Sequence, residues 1–121
     1  MKTKITLLLS FLFLGVNYVS AQDEDSSTLS IMSEYAKAKN YDAAYKPFME
    51  LRKRNPNYSR AIYVYGEDIL EDKIEKSSGA EQAAYINDLV KLWEERETHF
   101  ASKTPKGEFG AKACQLMYDY R

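Results

Sequence analysis

Apolar positions recur along most of this chain at intervals of three and four residues, the period of an amphipathic helix. Leu29, Met32, Tyr35 and Ala36 form the first such stripe, preceded by Asp25, Ser26 and Ser27 as N-cap chemistry. Lys37-Ala38-Lys39-Asn40 closes it with cations and an Asn. A second stripe, Ala44, Phe48 and Leu51, predicts a helix over 41–54 that Asn55-Pro56 ends. The connection is only a few residues, so the two helices should be antiparallel neighbours.

Pro47 sits inside that second helix. It removes the bond to the Ala43 carbonyl, which costs about 3 kcal/mol in a bare helix interior. Packing of Ala44, Phe48 and Leu51 must offset this, with a kink expected and the freed carbonyl toward solvent. The alternative is a helix with Pro47 as its first residue, which strands Ala44 outside.

The third segment admits two readings. Ala61-Ile62-Tyr63-Val64-Tyr65 is rich in β-formers and could be a strand. Ile62, Tyr65, Gly66 and Ile69 nevertheless stand at i, i+3, i+4 and i+7, and the period continues to Ile74. The longer pattern favours a helix. After the Ser77-Ser78-Gly79 turn, a fourth helix of about twenty residues carries Tyr85, Leu89, Leu92, Trp93 and Phe100. Beyond Thr104-Pro105-Lys106-Gly107, a fifth carries Phe109, Ala113, Leu116 and Met117. The fold class is therefore all-α.

The N-terminus has a different character. Residues 1–21 combine Lys2 and Lys4, an apolar run over 5–16 and a small-residue Val19-Ser20-Ala21 end. This is a secretory signal pattern, with cleavage expected near Ala21-Gln22 and a polar, flexible leader over 22–27. The expected location is outside the cytoplasm, in a bacterial periplasm or secreted, with no stable membrane insertion after cleavage. Residues 1–21 hold two lysines and no acid, which leaves 15 basic against 18 acidic residues in the remainder. That balance does not favour nucleic acid or an anionic membrane as partner. Cys114 is the one cysteine, so an internal disulfide is impossible, and a small buried hydrophobe is its expected role.

Little in the chain suggests catalysis. His99 is the one histidine and is expected at the surface near a helix end. The H-E-x-x-H zinc pattern needs a second histidine. No metal site, cofactor or enzymatic activity is expected. Arg52-Lys53-Arg54 stands at a helix C-terminus, where cations suit the dipole. Glu67, Asp68, Glu71, Asp72 and Glu75 form an acidic stripe, expected to be solvated, with Asp72 and Lys76 as an i,i+4 pair.

Helical hairpins in series invite a search for a repeat. Tyr35, Ala44, Phe48, Leu51 and Pro56 are spaced 9, 4, 3 and 5 residues apart. Ile62, Tyr65, Gly66 and Ile69 then fall in register, each 34 residues after Thr28, Ile31, Met32 and Tyr35 of the first unit. This pattern resembles the tetratricopeptide repeat (TPR), a 34-residue helix-turn-helix unit with helices A and B. The repeats read as 25–58, an expanded 59–105 and a partial 106–121, about two and a half hairpins of an α-solenoid over 28–121. Thr28 and Met32 depart from the usual aromatic and small residue.

The chain is also similar to exported bacterial TPR proteins through Lys39-Asn40-Tyr41, Ala44, Pro47-Phe48, Asn55-Pro56, Ile62-Tyr63, Gly66 and Ile69. Members of that group are longer, which implies that this chain is the N-terminal part of a larger protein. Tyr35 and Tyr65 are expected in the core, and Gly66 at a close helix approach. Ser33, Lys37, Arg60, Tyr63 and Glu67 are expected to face the concave groove of the A helices. The resemblance implies a scaffold that binds a protein or peptide there. The alternatives are a cell-envelope carbohydrate-handling protein or the leading part of a longer enzyme. The apolar face of the fifth helix is expected to be left open, or covered by self-association.

Overall fold

The structure is a computed structural model and describes residues 21–121, with side chains from Asp23 onward. The secretory signal read over residues 1–21 lies outside the described residues except for Ala21. Among them the chain forms five α-helices: α1 (Ala21–Lys37), α2 (Tyr41–Arg54), α3 (Ala61–Glu75), α4 (Gly79–His99) and α5 (Glu108–Asp119). A 3-10 turn, Ala101–Lys103, joins the last two. No strand occurs among the described residues. The helical period of residues 62–74 thus prevails over the β-prone run at its start.

Cross-chain contacts fix the directions of the helices. Arg54 at the end of α2 holds Asp25 near the start of α1 at 2.6 Å, so α1 and α2 are antiparallel. Lys73 late in α3 reaches Asp42 at the start of α2 at 2.9 Å, so α2 and α3 are antiparallel too. Tyr63 at the start of α3 packs on His99 and Phe100 at the end of α4. It follows that α2 and α4 run parallel, and Tyr45 meets Tyr85 edge-on between them.

The core lies where these helices converge. Met32, Ala44, Phe48, Leu51, Ile62, Ile69, Leu70, Ile74, Leu89 and Leu92 are all buried. Each large aliphatic or aromatic side chain among them contributes roughly 1.5–3 kcal/mol through burial. Gly66 sets the separation. A Cβ there would overlap Phe48, 2.7 Å from its Cζ, and would lie 3.2 Å from Leu92 Cδ2. Phe48 belongs to α2 and Leu92 to α4, so one missing side chain lets both helices close on α3.

The α1–α2 turn differs from the expected cap. Lys39, not Asn40, takes the left-handed conformation at φ 59°. The Asn40 N–H donates to Tyr35 and the Lys39 N–H to Ala36, which satisfies the last carbonyls of α1. Asn40 instead caps α2 by accepting from the Ala43 N–H. Helix α2 then runs unbroken through Pro47, so the start at Pro47 is excluded.

Several residues sit elsewhere than the sequence implied. The polar stretch 22–27 is not a flexible leader but the first turns of α1, pinned by buried Asp25 to Arg54 and Asn55. Tyr35 is 41% exposed rather than core, and Ile31 beside it is also exposed. No described helix covers the outer side of α1, so its second apolar stripe faces outward. Arg52 is no end-of-helix surface cation: it is 7% exposed and clamped between Asp88 at 3.0 Å and Glu95 at 2.7 Å of α4. Cys114 is exposed, not buried. Phe109 of α5 is buried against Trp93, while Met117 stays open as expected.

Two outcomes test this packing. Gly66→Ala should destabilise the protein by about 1–3 kcal/mol, because the buried Phe48 ring has nowhere to move. An unchanged midpoint of urea unfolding would contradict the close approach. The second concerns pH. The Asn55 hydrogen bond, and then Arg54, hold the Asp25 carboxyl below its usual range. A lowered native pKa contributes stability that is present above the unfolded value and lost as pH falls through the native one. Thermal midpoints should therefore drop as pH falls below about 4, and Asp25→Asn should show a shallower drop.

Candidate functional site

Helix α3 divides its circumference between core and solvent. Ile62, Tyr63, Gly66, Ile69, Leu70 and Ile74 point inward. At 3.6 residues per turn, Arg60, Val64, Glu67 and Glu71 fall on one narrow stripe on the other side, at i, i+4, i+7 and i+11. Arg60, Val64 and Glu71 are exposed and Glu67 is half-buried. Each of the four lines an open cavity.

The first cavity lies at the N-terminal end of α3 and has a volume of about 520 Å³. Tyr58, Ser59, Arg60, Val64 and Tyr65 form one side, and Phe100 and Lys103 the other. Its lining holds two cations and no carboxylate. Neither Arg60 nor Lys103 has a carboxylate at ion-pair distance among the described residues. The first-turn amide of Ala61 is already taken by Ser59 Oγ at 3.1 Å, so the cavity's character comes from side chains.

The second cavity, about 240 Å³, lies further along the same stripe, between α3 and α5. Glu67, Glu71, Trp93, Lys112, Gln115, Leu116 and Asp119 line it. Three carboxylates therefore face one ammonium. Lys112 is held by Glu67 at 3.1 Å and Glu108 at 3.8 Å and lies over the Phe109 ring. Burial, and then the neighbouring Glu67 charge, push the Asp68 and Glu71 carboxyls upward. Trp93 forms part of the lining, and its indole N–H finds no acceptor among the described residues.

The five expected groove residues are not gathered in one place. Arg60 and Glu67 share the stripe, each in its own cavity. Tyr63 is turned inward, 1% exposed, with its hydroxyl donating to the Pro56 carbonyl at 2.9 Å. Burial, reinforced by Glu95, pushes that phenol up to about 12, so it is a neutral structural donor. Lys37 is exposed and lies 3.7 Å from Glu34, and Ser33 is half-buried on α1. Neither lines the two cavities beside α3. Val64, Lys103, Glu71 and Trp93 are the members that sequence reasoning missed as site residues. Val64 and Glu71 could have been found by continuing the i+4, i+7, i+11 stripe from Arg60.

The expected i,i+4 pair Asp72–Lys76 forms at 3.0 Å. His99, the last residue of α4, is half-buried and stacked on Tyr63. Among the described residues no group of His, Cys, Asp and Glu could hold a metal ion. None of the described helices is long and apolar enough to cross a membrane.

The crowding of carboxylates on α3 should cost stability. A raised native carboxyl pKa means stability is lost as pH rises through it. Glu71→Gln should therefore raise the thermal midpoint at pH 7, by up to about 3 °C, with the gain vanishing below about pH 4. Thermal scans of both proteins across that range check the sign. Comparison of the chain with protein-family models, with curated proteins and with solved structures finds no match.

Proposed function

We propose that this protein is an exported, TPR-like helical-repeat scaffold that binds a protein or peptide segment along the outer stripe of α3. The observation that carries this reading is the pair of open cavities lined from one helical stripe, Arg60 and Val64 in one and Glu67 and Glu71 in the other; we call this stripe with its two cavities the α3 trough. An extended segment lying across Arg60, Val64, Glu67 and Glu71 would meet an aromatic wall, an apolar centre and fixed charges. Aromatic and Arg side chains are enriched where binding energy concentrates. The 34-residue register of Tyr35–Pro56 and Ile62–Ile69, with helices alternating in direction, supports the repeat reading. In that register Arg60 and Glu67 belong to the A-helix groove. The signal pattern of residues 1–21 supports export.

Panning a displayed library of random dodecapeptides against the purified protein tests the proposal. Enriched peptides should bind in solution and lose about tenfold or more in affinity to Val64→Lys, a 40% exposed position where the change should not disturb folding. Peptides that bind Val64→Lys as tightly as the native protein would place recognition elsewhere. Enrichment of no peptide, together with binding to an oligosaccharide array, would favour the carbohydrate-handling alternative.

A further inference from the structure

The two halves of the α3 trough differ in sign. The lining of the larger cavity carries Arg60 and Lys103 and no acid. The lining of the smaller carries Glu67, Glu71 and Asp119 against Lys112 alone, and Lys112 is already engaged by Glu67 and Glu108. At 1.5 Å per residue, the step from Arg60 to the Glu67–Glu71 pair is about 11–16 Å along the helix axis. That exceeds the screening length of roughly 8 Å at physiological ionic strength, so the two fields act separately on whatever lies across them.

We infer that the segment recognised along α3 is charge-polar, with an acidic side chain at Arg60 and Lys103 and a basic side chain at Glu67 and Glu71. The inference rests on the peptide-binding reading and adds the chemistry of the partner. The separation corresponds to about four or five residues of extended chain. An acidic residue in the larger cavity finds two cations that no carboxylate of the described residues neutralises. A Lys or Arg in the smaller one finds carboxylates whose mutual repulsion it relieves, and its stem lies over Trp93 and Leu116. Val64 between the halves takes an apolar residue. A segment of single charge satisfies one half and is repelled by the other.

The test uses labelled decapeptides and the purified protein, with binding read by fluorescence anisotropy at low and physiological salt. One peptide has two Glu and two Lys in separate blocks centred five residues apart around an apolar residue. A second has the same composition with the charges alternated, a third is all-acidic and a fourth all-basic. The block-polar peptide should bind about fivefold to tenfold tighter than each of the others, with the advantage shrinking as salt rises. Arg60→Glu with Lys103→Glu, both at exposed positions, should reverse the preference so that the all-basic peptide binds best. Equal binding of block-polar and alternated peptides, or an unchanged order in the double variant, overturns the inference. If library-selected peptides meanwhile remain sensitive to Val64→Lys, the peptide-binding reading stands without it. If no peptide of any charge binds, both fall.

Discussion

The approach of Phe48 to Gly66 sets the geometry on which the rest of the structure depends. A buried aromatic ring of α2 occupies the space where a side chain of α3 would be, and Leu92 of α4 closes on the same spot. Packing at this density tolerates no added methyl without movement of a neighbour. Both α2 and α4 are thereby drawn onto one side of α3, and they run parallel there. The stripe of Arg60, Val64, Glu67 and Glu71 lies to one side of that closure, with Trp93 of α4 at the edge of its acidic cavity. The two cavities open along that stripe, where neither Phe48 nor Leu92 reaches.

One turn beyond Phe48, Arg52 secures the parallel pair α2 and α4. Its guanidinium lies over the Phe48 ring and bonds Asp88 and Glu95. Burial opposes the charge, yet the Glu95 and Asp88 hydrogen bonds leave Arg52 more firmly protonated than usual. Removing either carboxylate would leave a buried charge under-compensated, so the clamp ties α2 to α4 at this point. The acids of α3 stand in contrast. Asp72 has Lys76 and Glu67 has Lys112, but Asp68 and Glu71 have no cation at bonding distance among the described residues. Charge is balanced where it holds helices together and left unbalanced where the surface is open.

How much of this was legible in the sequence depended on whether a local rule decided the position. The end of α2 follows from Asn55-Pro56 as stop, and the structure has that helix over Tyr41–Arg54, whereas Asn40, read as closing α1, turns out to cap α2. Gly66 stood out because a residue without a side chain, at a helical packing position, marks where a neighbouring helix comes close. Tyr63 and Tyr35 were misplaced for the same reason: periodicity ranks faces but does not say which face a neighbour covers. Tyr63 is buried because the α4 terminus, with His99 and Phe100, folds over it, and Tyr35 is exposed because no described helix lies outside α1. Asp25 and Arg52 looked like solvated charges because their partners are 29 and 36 residues away, beyond any local pattern. The trough was half legible. Arg60 and Glu67 fell within the expected groove, whereas Lys103 reaches it only through the 3-10 turn after α4.

The far wall of the trough is α5, and one residue seats it. Phe109 stacks on Trp93 at 6.1 Å and lies beneath Arg96 and Lys112, whose cations sit 4.9 and 5.3 Å from its ring centre. Cation–π contacts are worth roughly 0.5–1 kcal/mol at exposed positions such as Lys112 and more where the cation is desolvated. Phe109 is also the one buried side chain of α5, since Ala113 and Leu116 are only half-covered and Met117 is open. The width of the acidic half of the trough therefore hangs on one aromatic anchor and on the Glu67–Lys112 ion pair that crosses it. That pair is a wall contact and a charge within the site at the same time. Lys112 thus takes up one of the three carboxylates that line this cavity and leaves Glu71 and Asp119 without a cation at ion-pair distance among the described residues. Helix α3 is fixed from behind by Phe48 and Leu92, and α5 is held to the body through Phe109 and the Glu67–Lys112 pair.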